Sequence, residues 1–238
     1  MVDLAIGYGE TPIQSGITFD VFAGDVFLIL GGSGTGKSTL LRHMVGLQAP
    51  IGGTIELVGD GDPQELEGRP PFGLAFQGGA LFGSMTLAEN LALPLETWTN
   101  LDRTTRDEVV YGKLRLVGLA GYENHLPAAI SGGMRKRAAI ARALMLEPKL
   151  LFLDEPSAGL DPISAAELDD LLLTLNRSLG TTMVIVTHEL ASIFAIGTRC
   201  ILLDKEAGGV IASGNPKELR DQSGDARVRR FLRRGVRG

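Results

Sequence analysis

Cysteine is nearly missing from this chain: Cys200 stands alone among 238 residues. A lone thiol cannot close an internal disulfide, so no disulfide framework holds the fold, and a reducing compartment is the expectation. Long apolar runs are missing too. The closest, Leu190–Leu203, contains Gly197 and Arg199 and falls short of the roughly 18 residues that a membrane span needs. Met1–Glu10 has neither a basic opening nor a long apolar stretch, which predicts no signal peptide. Any membrane association is therefore expected to run through a partner. An excess of positive charge is lacking as well. The formal net charge of −5 argues against nucleic acid as a partner. The balance is uneven, since seven Arg against Asp221 and Asp225 give residues 220–238 a charge of +5 and the remainder −10. No internal repeat or low-complexity linker interrupts the sequence.

What is present is ordinary in bulk and specific in detail. With 44% hydrophobic and 21% charged residues, the composition is that of a globular protein, and the length suits one core with an inserted subdomain. Short β-rich apolar runs alternate with helical patterns, which predicts an α/β fold with a largely parallel sheet. Val26–Leu30, Phe72–Phe76, Leu150–Leu153 and Met183–Thr187 read as buried strands. Each ends in polar or glycine residues able to reach a ligand at the carboxyl edge. Asp3–Ile6, Ile17–Phe22 and Thr54–Val58 read as a smaller antiparallel layer. Between Gly78 and Ile130 helices take over. Thr86-Leu87-Ala88-Glu89 spells a capping box, and Thr104–Val117 has the spacing of a second helix. Asp161-Pro162 supplies an N-cap and an N1 proline for a helix running to about Leu179.

Gly31-Gly32-Ser33-Gly34-Thr35-Gly36-Lys37-Ser38-Thr39 directly follows the Val26–Leu30 strand and matches the P-loop pattern. The glycines let the backbone wrap a polyphosphate with its amides pointing inward, and the helix opening at Lys37 adds its positive end. Lys37 would reach the β- and γ-phosphates of ATP, and Ser38 would ligate Mg²⁺. Farther on, Leu150-Leu151-Phe152-Leu153 ends in Asp154-Glu155. A buried strand seldom finishes in adjacent carboxylates unless something cationic or protic needs them. Asp154 would hold the Mg²⁺ shell, and Glu155 would polarise the attacking water as general base. Gln77 and His188 end two other strands, where an amide and an imidazole could sense the γ-phosphate, Gln77 also reaching the metal.

At Ile130-Ser131-Gly132-Gly133-Met134-Arg135-Lys136-Arg137 the chain resembles the nucleotide-binding domains of ABC transporters. The resemblance covers essentially the whole chain. Its motifs occur in order: Tyr8, the P-loop, Gln77, the Ser131–Gly133 signature, Asp154/Glu155, the Ala158–Asp161 loop and His188. It implies a P-loop NTPase (RecA-like) core over 1–78 and 131–219 with an N-terminal antiparallel β-layer, a helical subdomain over 79–130, and a basic tail over 220–238. It also implies adenine stacking on Tyr8 and a head-to-tail homodimer. In that dimer each ATP lies between one P-loop and the other protomer's Ser131, Gly132 and Gly133, with Asp161 at the interface. Physically, Ser131–Gly133 open a helix and can form a second anion site. Arg135, Lys136 and Arg137 crowd its first turn, where cations are disfavoured by roughly 0.3–1 kcal/mol each. Either they lend potential to a triphosphate or they are solvated side chains.

Met134 stands where most of the family has Gln, and Ile130 where Leu is usual. Together with Phe76–Phe82, Met85–Asn90, Glu155–Ile163 and Asp225–Leu232, this is similar to the Mla/Mce lipid-transport subfamily. That subfamily works with a permease, expected to dock near 78–92, and with Mce-type substrate-binding proteins, placing this subunit peripherally on the cytoplasmic face of the inner membrane. The tail is expected to clasp a neighbouring protomer, with headgroup binding or capping of its own domain as alternatives. Competing functional readings are a soluble non-transport ABC ATPase, such as an iron–sulfur assembly scaffold subunit, and an importer subunit for another small substrate. A P-loop kinase or GTPase leaves Ser131, Gln77 and His188 unexplained, and the sequence has no Asn-Lys-x-Asp motif.

Overall fold

The computed structural model describes residues 1–233, so Arg234 and Arg237 of the basic tail lie outside the described residues. In chain order the first elements are β1 (Val2–Tyr8), β2 (Thr11–Ile17), β3 (Val26–Gly31), α1 (Lys37–Met44), β4 (Gly52–Thr54), β5 (Phe72–Ala75), α2 (Leu87–Trp98) and α3 (Arg103–Leu116). After a 3-10 turn at Pro127–Ala129 come α4 (Gly132–Ala143), β6 (Leu150–Asp154), α5 (Pro162–Leu179), β7 (Thr182–Val186) and α6 (Leu190–Ile196). The chain closes with β8 (Arg199–Asp204), β9 (Gly209–Gly214), α7 (Pro216–Gln222) and α8 (Ala226–Leu232). Two compact units emerge: Met1–Pro70 together with the chain from Thr182 onward, and Pro71–Thr181. The fold is α/β.

In the first unit, β3 lies between β7 and β8, parallel to both, and β9 runs antiparallel along β8. All of β3 and β7 is buried, which explains why both read as unbroken apolar runs rather than alternating ones. The smaller antiparallel layer is present, in the order β2-β1-β4, but two of its strands are displaced from the sequence expectation. Gly9, at φ +59, makes the tight turn that pairs Tyr8 with Thr11, so the second strand ends at Ile17 instead of starting there. Beyond it Phe19 turns inward and stacks on Phe27 with ring centroids 5.0 Å apart. Likewise β4 stops at Thr54, and Val58 is 95% exposed in a turn. Strands β8 and β9 were not anticipated. The apolar stretch 190–203 is a helix and a strand broken at Gly197, where a Cβ would come 2.4 Å from Leu28 Cδ1.

The tail also departs from expectation. Val228 and Leu232 of α8 are buried, and Arg227 pairs with Asp225 at 2.7 Å and Asp204 at 3.1 Å. Hydrophobic contact and charge thus dock the described tail on its own unit, and the apolar side expected to clasp a neighbour is used there.

The second unit carries the parallel pair β5–β6 and the four α-helices α2 to α5. Gly73 lets β5 approach the end of α4: a Cβ there would sit 2.3 Å from the Ala143 carbonyl oxygen. Phe72 and Phe152 meet edge to face at 5.3 Å. The capping box opens α2 as read from the sequence, Thr86 Oγ1 accepting from the Glu89 amide and Glu89 Oε2 from the Thr86 amide. Asp102 caps α3, and Asp161 caps α5 with Pro162 at its first position. Buried Asn90 gathers the preceding turn, accepting from Phe82 N–H at 2.7 Å and donating to the Phe82, Met85 and Thr86 carbonyls. Among the described residues no helix is long and apolar enough to cross a membrane.

The approach at Gly73 sets the position of the strand leading to Gln77. Gly73→Val should therefore destabilise the protein by about 1–3 kcal/mol; a denaturation midpoint equal to wild type would show that β5 and α4 can separate without cost.

Candidate functional site

The first unit assembles a phosphate cradle at the carboxyl end of β3. The chain leaves Gly31, passes Gly34 at φ +73 and Gly36 at φ +89, and enters α1 at Lys37. Only glycine takes these left-handed turns without strain. Three side chains brace the loop from within. Thr35 Oγ1 and Lys37 Nζ each donate to the Gly32 carbonyl at 3.0 Å, and buried Gln14 donates to the carbonyls of Thr35 (2.9 Å) and Asp204 (3.2 Å). Gly36 precedes α1 without a side-chain cap, and no acid lies in the first turn. By contrast α2, α3, α4, α5, α7 and α8 are capped by Thr86, Asp102, Ser131, Asp161, Asn215 and Asp225. The open amides and positive end of α1 fit a polyphosphate.

Two more of the expected residues gather there. The Tyr8 hydroxyl lies 3.2 Å from Thr39 Oγ1, with the residue 56% exposed, so a ring face remains available beside the cradle. His188 follows β7, whose Val186 is level with Ile29 of β3. Its exposed imidazole has Nε2 3.6 Å from the Glu189 carboxylate.

The second unit holds Gln77, Ser131–Gly133, Asp154, Glu155 and Asp161. Asp154 is the last residue of β6, and it and Glu155 are 8% and 7% exposed. Glu155 takes φ +49, a left-handed backbone that is costly for a residue with a Cβ. Lys136 joins two of the expected residues: its ammonium donates to the Gln77 carbonyl and to the Glu155 carbonyl at 3.2 Å. Burial draws that ammonium below its usual range, and the charges of Glu155 and Asp154 pull it back up. One turn and a half along α4, Arg142 donates to the Gly79 (3.1 Å) and Ala80 (2.8 Å) carbonyls. Ser131 caps α4, its Oγ accepting from the Met134 amide at 3.2 Å. Asp161 accepts from the Ile163 and Ser164 amides and the Ser164 hydroxyl, whose bonds hold its carboxyl below the usual range. A cavity of about 270 Å³ beside Ser131 and Gly133 is lined in part by Tyr122, Met134, Arg137 and Glu167.

The first-turn cations of α4 match neither reading made from the sequence. Arg135 donates to the Ile130 carbonyl at 2.8 Å, Lys136 binds the carbonyls above, and Arg137 pairs with Glu167 at 2.9 Å. All three are engaged within their own unit.

Residues 14–158 match the family model described as ABC transporter. The chain belongs to the ABC transporter family. It is 40% identical over 234 residues to the probable ribonucleotide transport ATP-binding protein mkl of Mycobacterium leprae, covering 96% of this chain and 67% of that protein. It is 38% identical over 238 residues to the intermembrane phospholipid transport system ATP-binding protein MlaF of Escherichia coli, covering 98% of this chain and 87% of MlaF. Among solved structures it is similar to the ATP-binding cassette MJ0796, described as dimeric, in a post-hydrolysis state and bound to ADP and Pi. The TM-score is 0.79 at 28% identity, covering 90% of this chain and 97% of that one.

Three residues that brace this ABC cassette were not singled out from the sequence as braces. Gln14 fell between two of the strands expected from the sequence and carried no signal there. Lys136 and Arg142 could be placed on a helix, but their acceptors are backbone carbonyls, which no side-chain pattern reveals. Gln14→Leu should lower affinity for ATP by a few-fold to about tenfold, the worth of one hydrogen bond. Calorimetric titration checks this, and unchanged affinity would show the loop to be self-supporting.

Proposed function

We propose that this chain is the ATP-binding and ATP-hydrolysing subunit of an ABC transporter that drives phospholipid transport through a partner permease. The observation that carries the ATPase reading is that the first unit holds an uncapped glycine-wrapped helix start, at α1, and the second unit holds buried consecutive carboxylates at the end of β6. In this reading the amides of Gly31–Thr39 and the Lys37 ammonium take the phosphates, and Tyr8 stacks on the base. Ser38, Asp154 and Gln77 are hard oxygen donors suited to Mg²⁺, which keeps waters and phosphates as its other ligands. The metal neutralises phosphate charge when bound. Glu155 accepts the proton of the attacking water, while Gln77 and His188 orient that water against the γ-phosphate.

Gly132 and Gly133 support a shared site. A Cβ at either would find neighbours no nearer than 3.7 Å, ordinary contact, so no steric contact among the described residues calls for glycine. Close approach by something outside the chain does: in this reading, the ATP held by a second copy, with Ser131 and Asp161 at the same interface. The dimeric MJ0796 cassette is consistent with that arrangement. Phe82, 56% exposed, offers an apolar contact for a permease near 78–92, whereas Leu87 and Leu91 belong to the core. We read residues 79–130 as the helical subdomain between core segments 1–78 and 131–219, followed by the basic segment 220–238. The subunit would sit peripherally on the cytoplasmic face, with Mce-type proteins reached through the permease.

Phospholipid as cargo rests on the MlaF likeness, which covers nearly all of both chains, and on Met134 in the signature. The mycobacterial relative, named for ribonucleotide transport, keeps a second cargo in view. Co-purification with the permease, then vesicle assays with labelled phospholipid and labelled ribonucleotide, would separate them; movement of ribonucleotide alone overturns the lipid reading. Glu155→Gln should cut steady-state ATP turnover by about 100-fold or more, keep ATP binding and accumulate an ATP-dependent dimer on size exclusion. Turnover at the wild-type rate would remove Glu155 as general base.

A further inference from the structure

Glu155 faces a problem that its own sequence does not solve. Its backbone is left-handed, at φ +49, a conformation that a residue with a Cβ keeps only where its surroundings hold it. The Glu155 carbonyl is held from two sides, by the Ala158 amide at 3.2 Å and by Lys136 Nζ at 3.2 Å. The same ammonium donates to the Gln77 carbonyl, and a lysine with three N–H donors can serve both at once. Lys136 sits on α4, the helix capped by Ser131, and Arg142 of that helix holds the Gly79 and Ala80 carbonyls just beyond Gln77. One helix thus carries the signature at its start and grips the backbone of both other hydrolytic loops of its unit.

We propose that Lys136 is a positioning residue for ATP hydrolysis: its ammonium fixes the backbone of Glu155 and of Gln77 together, so that the carboxylate and the amide act in one geometry. This rests on the reading of Glu155 as general base. In this reading Lys136 acts through the two peptide planes it binds. Its contribution therefore falls on the chemical step and spares ground-state binding of ATP.

The test uses the full chain, co-purified with its membrane partners. Lys136→Met keeps the stem and removes the donors. It should lower kcat by about 10- to 100-fold, the scale on which misplacing a reacting group is felt, while ATP affinity and KM stay within about twofold. Lys136→Arg, which keeps charge and several donors, should restore most of the turnover. In the Glu155→Gln background Lys136→Met should cost much less than in the wild type, because one of the two groups it positions has already been removed. If Lys136→Met does not fold, judged by circular dichroism, Lys136→Leu, which also lacks donors, gives the same comparison. Wild-type kcat in the Lys136 variants alongside a dead Glu155→Gln overturns the positioning role alone. Equal losses of affinity and turnover, or no rescue by Arg, overturn it as well. Wild-type turnover in Glu155→Gln would instead sink the general-base reading itself.

Discussion

A polyphosphate carries more charge than any single side chain can answer, and in the function proposed for it this fold answers with backbone amides. That constraint explains the first unit. Amides converge only where a strand hands directly to a helix through a turn of left-handed residues, hence Gly34 and Gly36 and the absence of a side-chain cap on α1. A capping aspartate there would satisfy the helix and repel the ligand, so local stability is forgone at the start of α1, whereas six of the described α-helices keep a side-chain cap. The strand must also be immobile. Every residue of β3 is buried, with a parallel neighbour on each side, and Gln14 pins the loop to the Asp204 carbonyl at the end of β8.

Much of this was legible because it is written in local chemistry. Buried parallel strands produce apolar runs, and caps produce Thr86/Glu89 and Asp161-Pro162 at fixed offsets, so those elements fell close to their observed bounds. The P-loop and the Asp154-Glu155 step announced themselves because glycine and paired acids have few other uses at strand ends. What stayed hidden depends on partners distant in sequence. The Gly9 turn moved β2 because one left-handed glycine outweighs strand propensity on either side of it. β8 was concealed by the apolar continuity of 190–203, since the break at Gly197 is set by Leu28 pressing against it. The tail looked like an arm for a neighbour because its sequence shows an apolar side without showing what that side covers.

The cations at the start of α4 show how magnitudes decide between readings. Each costs roughly 0.3–1 kcal/mol by opposing the helix dipole. A charged donor bonded to a part-buried carbonyl returns roughly 1.5–3 kcal/mol and a surface ion pair roughly 0–1 kcal/mol, so the cost is offset provided each cation finds an acceptor. Arg135, Lys136 and Arg137 all do, two of them through carbonyl bonds at 2.8 and 3.2 Å and the third through a carboxylate at 2.9 Å. The exchange has a structural consequence. Because these side chains are engaged by their own unit, they leave the opening of α4 to Ser131 and the two glycines. The helix start thus keeps its amide dipole unneutralised by acid, while Lys136 and Arg142 behind it hold the loops of Gln77 and Glu155. A helix built this way combines an anion-seeking end with a rigid grip on hydrolytic backbone, which is the arrangement required if a nucleotide arriving from outside the chain is to be felt at Glu155.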